Sequence, residues 1–196
     1  DGTLKASGKL YDGQNGGDLI INGGELNFDN VDVLDNATTA PDVTFQSEGG
    51  TLSFGPMADS DSNGTMELGN LTLNANSIID FGSGNVQLDF AGNMIDLNGN
   101  FLDIHNWNGN PYGPAGPDQL FFSNNGFIDS ELSKIRFFRD AGNFQWGPPT
   151  IQNSSTGEVV PAPEASTWIT VGGLLSVILA RTYLHVRRKR RALPTQ

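Results

Sequence analysis

Six residues between Asp59 and Glu67 carry the pattern with the clearest chemistry. In "DSDSNGTMELGN", Asp59, Asp61 and Asn63 stand at alternate positions and Gly64 follows directly. This is how a calcium loop opens: oxygen ligands at every second residue converge when the chain coils round an ion, and the glycine permits the sharp turn. The Thr65 carbonyl and Glu67, bound directly or through water, complete the candidate set. The twelfth position is Asn70, so the closing bidentate carboxylate is missing, and the flanking segments read as strands. The expectation is a polar surface turn with, at most, a weak calcium site that only millimolar extracellular calcium fills.

Other chemistry has little material. The chain has no cysteine, and its two histidines are His105 and His185, the second in a membrane-type tail. Zinc sites and Cys-His or Ser-His-Asp catalysis therefore lack their residues. His105, in "LDIHNW", reads as a histidine on the surface of a strand. Asp29/Asp32 and Asp59/Asp61 resemble the paired carboxylates of a glycosidase, but a chain with 22 acids makes such pairs freely. "GSG" at 82–84 has no P-loop lysine and reads as a turn. No cofactor beyond the weak calcium is expected, and the chain reads as non-enzymatic.

The elements that would position these residues are short strands. From Leu10 to Phe90, apolar residues alternate with polar ones in brief runs: Leu26/Phe28, Val43/Phe45, Leu52/Phe54, Met66/Leu68, Leu71/Leu73, Ile79/Phe81 and Val86/Leu88/Phe90. Period two means one buried face, and "NGG", "EGG" and "SNG" punctuate the runs as turns. The fold class expected is mainly β. Very short strands with Gly- and Asn-rich corners point to a parallel β-helix or solenoid, whose rounds bury apolar residues by stacking on their neighbours; a β-sandwich is the alternative. Further on, Leu102 and Ile104 mark a strand, 108–117 a Pro/Gly loop, and Asp129 or Ser130 caps one or two helical turns leading into a strand at Ile135–Phe138.

Charge divides the chain. Residues 1–166 hold all 22 acids against Lys5, Lys9, Lys134, Arg136 and Arg139, a net of −17. Such a body repels phosphate backbones and excludes nucleic acid as a partner. Residues 167–196 carry the other six basic residues and no acid. Ala165 to Ala180 is uncharged and mostly apolar; as a helix it spans roughly 24 Å, short of the ~30 Å hydrocarbon core. Extension to Val186 supplies the missing turn if Arg181 snorkels. Trp168 suits one interface and Tyr183 the other, and Arg187, Arg188, Lys189, Arg190 and Arg191 hold their end in the cytoplasm. The domains expected are a β-rich body over 1–158, a Pro-containing linker over 159–166, one transmembrane helix over 167–186 and a basic tail over 187–196. Asp1 follows no Met or apolar leader, so the chain is expected to be a fragment or processed product of an exported protein. The lack of cysteine fits bacterial export.

Pro163-Glu164-Ala165-Ser166-Thr167-Trp168, then Gly172-Gly173-Leu174-Leu175, then the arginine cluster at 187–191 resemble the PEP-CTERM protein-sorting signal, with Ala165 where that family carries a second proline. The resemblance covers 161–191. It implies recognition and processing at Pro163–Thr167 by exosortase, an integral-membrane cysteine transpeptidase-like protease of Gram-negative bacteria that make extracellular polysaccharide. "LIINGGELNF" resembles the strand repeats of autotransporter passengers, and "LTLNANSIIDFGSG", "LDIHNWNG" and "STGEVVP" resemble regions preceding PEP-CTERM tails. Those resemblances imply a large secreted repetitive β protein of which this is the last segment, without enzymatic activity. The function expected is that of an exported cell-surface or extracellular-matrix protein, transiently anchored in the membrane and associated with exopolysaccharide. A surface-displayed β-helix lyase or hydrolase acting on polysaccharide is the alternative.

Overall fold

The computed structural model describes residues 2–6, 17–29, 40–55, 65–92, 94–110, 116–122, 129–139, 150–152 and 157–161. The chain divides into two units, Asp1–Ala162 and Pro163–Gln196, and every described residue belongs to the first. The strands in chain order are β1 (Thr3–Ala6), β2 (Leu19–Ile21), β3 (Glu25–Phe28), β4 (Val43–Phe45), β5 (Gly50–Phe54), β6 (Thr65–Leu68), β7 (Leu71–Leu73), β8 (Ser77–Asp80), β9 (Gln87–Phe90), β10 (Ile95–Asp96), β11 (Leu102–His105) and β12 (Gln119–Phe121). A single helical turn, α1 (Asp129–Leu132), precedes β13 (Ile135–Phe137), and β14 (Thr150–Gln152) and β15 (Val159–Pro161) close the body. A helical turn running into a strand is what the sequence predicts. Among the described residues no helix is long and apolar enough to cross a membrane.

The fold is mainly β with parallel sheets, an arrangement compatible with a β-solenoid or β-helix. Successive strands join different sheets. The first sheet has the order β1-β3-β5-β8-β11-β13, the second β10-β7-β4-β2 and the third β12-β9-β6. All pairs within these three sheets are parallel. From β4 to β12 the chain visits the second, first and third sheets in turn, and each strand's parallel partner lies between 22 (Thr3↔Glu25) and 33 (Leu102↔Ile135) residues further along the chain. The hairpin-linked sheets of a sandwich would be antiparallel instead.

Parallel registration puts like residues over one another about 4.8 Å apart. Leu26, Leu52, Ile79, Ile104 and Phe137 form one such column. All but Leu26 are fully buried, and Leu26 packs against the same core. Phe28, Phe54 and Phe81 form the next, with successive ring centroids 6.1 and 6.2 Å apart. On the third sheet Phe90 stacks on Phe122 at 5.2 Å, with 11° between the ring planes. Every apolar pair the alternation nominates thus faces inward. Each fully buried Leu, Ile or Phe contributes about 1.5–3 kcal/mol, and those contributions lie between rounds.

The corners are made by residues that tolerate left-handed backbone. Gly49 has φ +66°, and a Cβ there would meet the Asn76 carbonyl of the following round. Gly82, at φ +63°, approaches the Phe54 carbonyl of the preceding one. At a third corner Asn98 adopts φ +49° and its amide donates to the Leu73 carbonyl at 3.0 Å.

The last strands depart from this plan. β14 and β15 pair antiparallel, and an antiparallel bridge joins Phe121 to Glu158. Val159 and Val160 are buried in the core. Residues 159–161, which the composition groups with the linker, are therefore structured as part of the body.

Candidate functional site

Two strands at the end of the first sheet bring together a set of unlike side chains. Leu102 and Ile104 of β11 point inward, which forces Phe101, Asp103 and His105 outward. On β13, Ile135 and Phe137 are inward, so Lys134, Arg136 and Phe138 face out. The register Leu102↔Ile135, Asp103↔Arg136, Ile104↔Phe137 sets the two outward rows side by side.

The contacts between the rows are specific. Arg136 pairs in a fork with Asp103, Nε to Oδ1 at 2.6 Å and Nη2 to Oδ2 at 2.7 Å. Its guanidinium carbon lies 4.1 Å from the Phe101 ring centroid, and the Lys134 ammonium lies 4.5 Å from the same centroid. One phenyl ring thus serves two cations. His105 stands edge-on to Phe138, with ring centroids 5.1 Å apart. Lys134, Arg136 and Arg139 are three of the five basic residues of the acidic body. Among the described residues β13 is the last strand of its sheet, so basic residues concentrate at this end of an acidic body.

Elsewhere the carboxylates join one round to the next. The two oxygens of Asp42 accept from the Asn70 backbone N–H at 2.7 Å and from its side-chain amide at 3.0 Å, and Asn70 Oδ1 accepts from Met94 N–H at 2.8 Å. Asp80 Oδ1 accepts from Gly82 N–H at 2.8 Å and from the Asn106 amide at 2.7 Å. Glu25 accepts from the hydroxyls of Thr3 and Ser53. The Ser53 bond holds the Glu25 carboxyl below its usual range, against a smaller desolvation effect. Asp118, 1% exposed, accepts from Val86 N–H at 3.1 Å and Asn108 N–H at 2.6 Å. Burial nonetheless raises its pKa, because the two N–H bonds only partly replace lost hydration. Glu158, 2% exposed and 3.4 Å from the Gln119 amide, is likewise pushed up by burial.

The residues singled out on sequence fall in different places. Asp59, Asp61 and Asn63 lie outside the described residues. Thr65 and Glu67 sit on β6, both exposed, on the face opposite buried Met66 and Leu68. The Thr65 hydroxyl donates to Gln87 Oε1 at 2.9 Å. Among the described residues no cluster of three or more His, Asp or Glu forms a metal site. His105 is on the outward face of its strand. Asp29 is described and Asp32 is not. The motif Pro163, Glu164, Ala165, Ser166, Thr167, the interface residue Trp168 and the cluster at 187–191 all lie outside the described residues.

Phe101, Asp103, Lys134 and Arg136 were not nominated on sequence. Their signal was the charged and aromatic character of the outward positions in "FLDIH" and "SKIRFF". Comparison with family models, curated proteins and solved structures gives no match.

Proposed function

We propose that this chain is the β-solenoid body and sorting tail of a non-enzymatic exported surface or matrix protein, associated with extracellular polysaccharide. The observation that carries the reading is the use made of acidic side chains. Asp42, Asp80, Asp118 and Glu25 spend their oxygens on backbone and side-chain groups of neighbouring segments, which suits a stacked, cysteine-free scaffold. The short apolar span, the Pro-containing approach and the terminal basic cluster support a transient anchor: the membrane holds the tail until an exosortase-type protease processes the chain near Pro163–Thr167. The test is a size-and-fractionation blot in an exosortase-bearing host, with an epitope near Asp1 and another after Gln196. Wild-type protein should lose the C-terminal epitope and leave the membrane. Glu164→Ala should remain full-length in the membrane fraction. A mature wild-type protein that keeps its C-terminus would replace the sorting reading with a permanent anchor.

A second reading, a polysaccharide-active enzyme, is favoured by one observation. Asp80, Asp103, His105 and Arg136 share the outward face of adjacent strands, which puts acid, base and cation within one strip. Release of reducing ends or unsaturated products from a polysaccharide, lost in His105→Ala, would select it.

A further inference from the structure

We propose that the strip formed by Phe101, Lys134, Arg136, Phe138 and His105 binds a carboxylate-bearing polysaccharide, which deepens the polysaccharide association proposed above and rests on it. Among the described residues β13 is the last strand of its sheet, and the charges of Lys134 and Arg136 on such a strand deter pairing with other sheets wherever they point. Both instead lie over one phenyl ring, at 4.5 and 4.1 Å. Each contact restrains its cation, with less entropy left to lose when an anion arrives. The Asp103 fork uses Nε and Nη2 of Arg136, leaving the outer N–H groups of the guanidinium for a ligand. Among the described residues no carboxylate pairs with the Lys134 ammonium. Phe101 lies under the cations at one end of a strip roughly 13 Å long and Phe138 stands at the other, the reach of a short oligosaccharide. The partly exposed Phe138 ring suits the C–H face of a sugar ring, and the cations suit a ring carboxylate.

Charge selects this occupant over the other polyanions. Duplex DNA presents one charge per ~1.7 Å, and a body with a net of −17 repels so dense an array. An anionic bilayer is a plane, and its approach would bring the surrounding acids against it as well as the strip. A polysaccharide with a single carboxylate on each ring is thinner and more sparsely charged, and it can follow the strip alone.

The experiment measures retention of the full chain on immobilised polygalacturonate, dextran and vesicles containing phosphatidylserine, at about 0.15 M salt, where charges beyond roughly 8 Å are screened. All arms carry Arg187→Gln, Arg188→Gln, Lys189→Gln, Arg190→Gln and Arg191→Gln, so that the tail contributes no charge. Polygalacturonate should retain the chain and dextran should not. Lys134→Glu should weaken retention about tenfold or more with an unchanged far-UV spectrum, and Phe138→Ala should weaken it to a smaller degree. Retention that Lys134→Glu leaves intact, equal retention on dextran, absence of binding, or capture by the vesicles that Lys134→Glu abolishes would each overturn the proposal. None of those outcomes touches the sorting reading, which the fractionation blot decides independently.

Discussion

Phe54→Ala tests whether stability resides between rounds. Phe54 is 1% exposed and lies between Phe28 and Phe81 at 6.1 and 6.2 Å. Truncation removes its transfer free energy and leaves a cavity, together about 3–5 kcal/mol. Each lost ring contact accounts for ~0.5–1.5 kcal/mol beyond burial. Since both flanking rings lose a neighbour, the upper part of that range, about 4–5 kcal/mol, is expected. That is a large share of a domain's ~5–15 kcal/mol. Phe54→Leu keeps most of the volume and should cost about 1–1.5 kcal/mol. Phe122→Ala removes a ring whose stacked partner is Phe90, in a different sheet, so it should add to Phe54→Ala within ~0.5 kcal/mol. Urea unfolding followed by far-UV circular dichroism measures all four variants. A loss below ~1.5 kcal/mol in Phe54→Ala, or strong coupling between Phe54 and Phe122, would refute the view that each round is held mainly by its immediate neighbours.

The buried acids predict a pH dependence with two limbs. Asp118 and Glu158 bind their protons more tightly folded than unfolded, so stability is full below the ordinary carboxylate range and falls as pH rises from about 4 through their raised values. Glu25 acts oppositely, its contribution being lost as pH falls through its lowered value. Thermal melts across pH should show a maximum, and Glu158→Gln should flatten the alkaline limb while leaving the acid one. Gly82→Ala places a side chain at φ +63° against the Phe54 carbonyl. The left-handed backbone alone costs about 1–2 kcal/mol, so the urea midpoint should drop clearly, whereas Gly2→Ala, which meets nothing within 4 Å, should leave it unchanged.

Local rules sufficed for much of this architecture. A pleated strand alternates its side chains by construction, so the inward positions of Val43/Phe45, Leu71/Leu73 and Leu88/Phe90 follow from composition at period two. The helical turn at Asp129 and the outward placement of His105 needed nothing more. Neither did the opposed charges of body and tail, which are properties of the chain itself. Tertiary structure decided what lies beside what. Asp103 meets Arg136 because β11 and β13 pair in one particular register, and that register depends on the length of the connection between rounds, which alternation does not encode. The burial of Asp118 between the Val86 and Asn108 N–H groups is equally invisible in the acidic "GPDQ" that contains it. Val159 and Val160 stand in a polar, Pro-containing stretch that reads as linker, yet they are buried in the core on a strand that pairs antiparallel with β14. Which way a side chain faces is set by its own backbone, and which neighbour it meets is set by a segment some two dozen or more residues away.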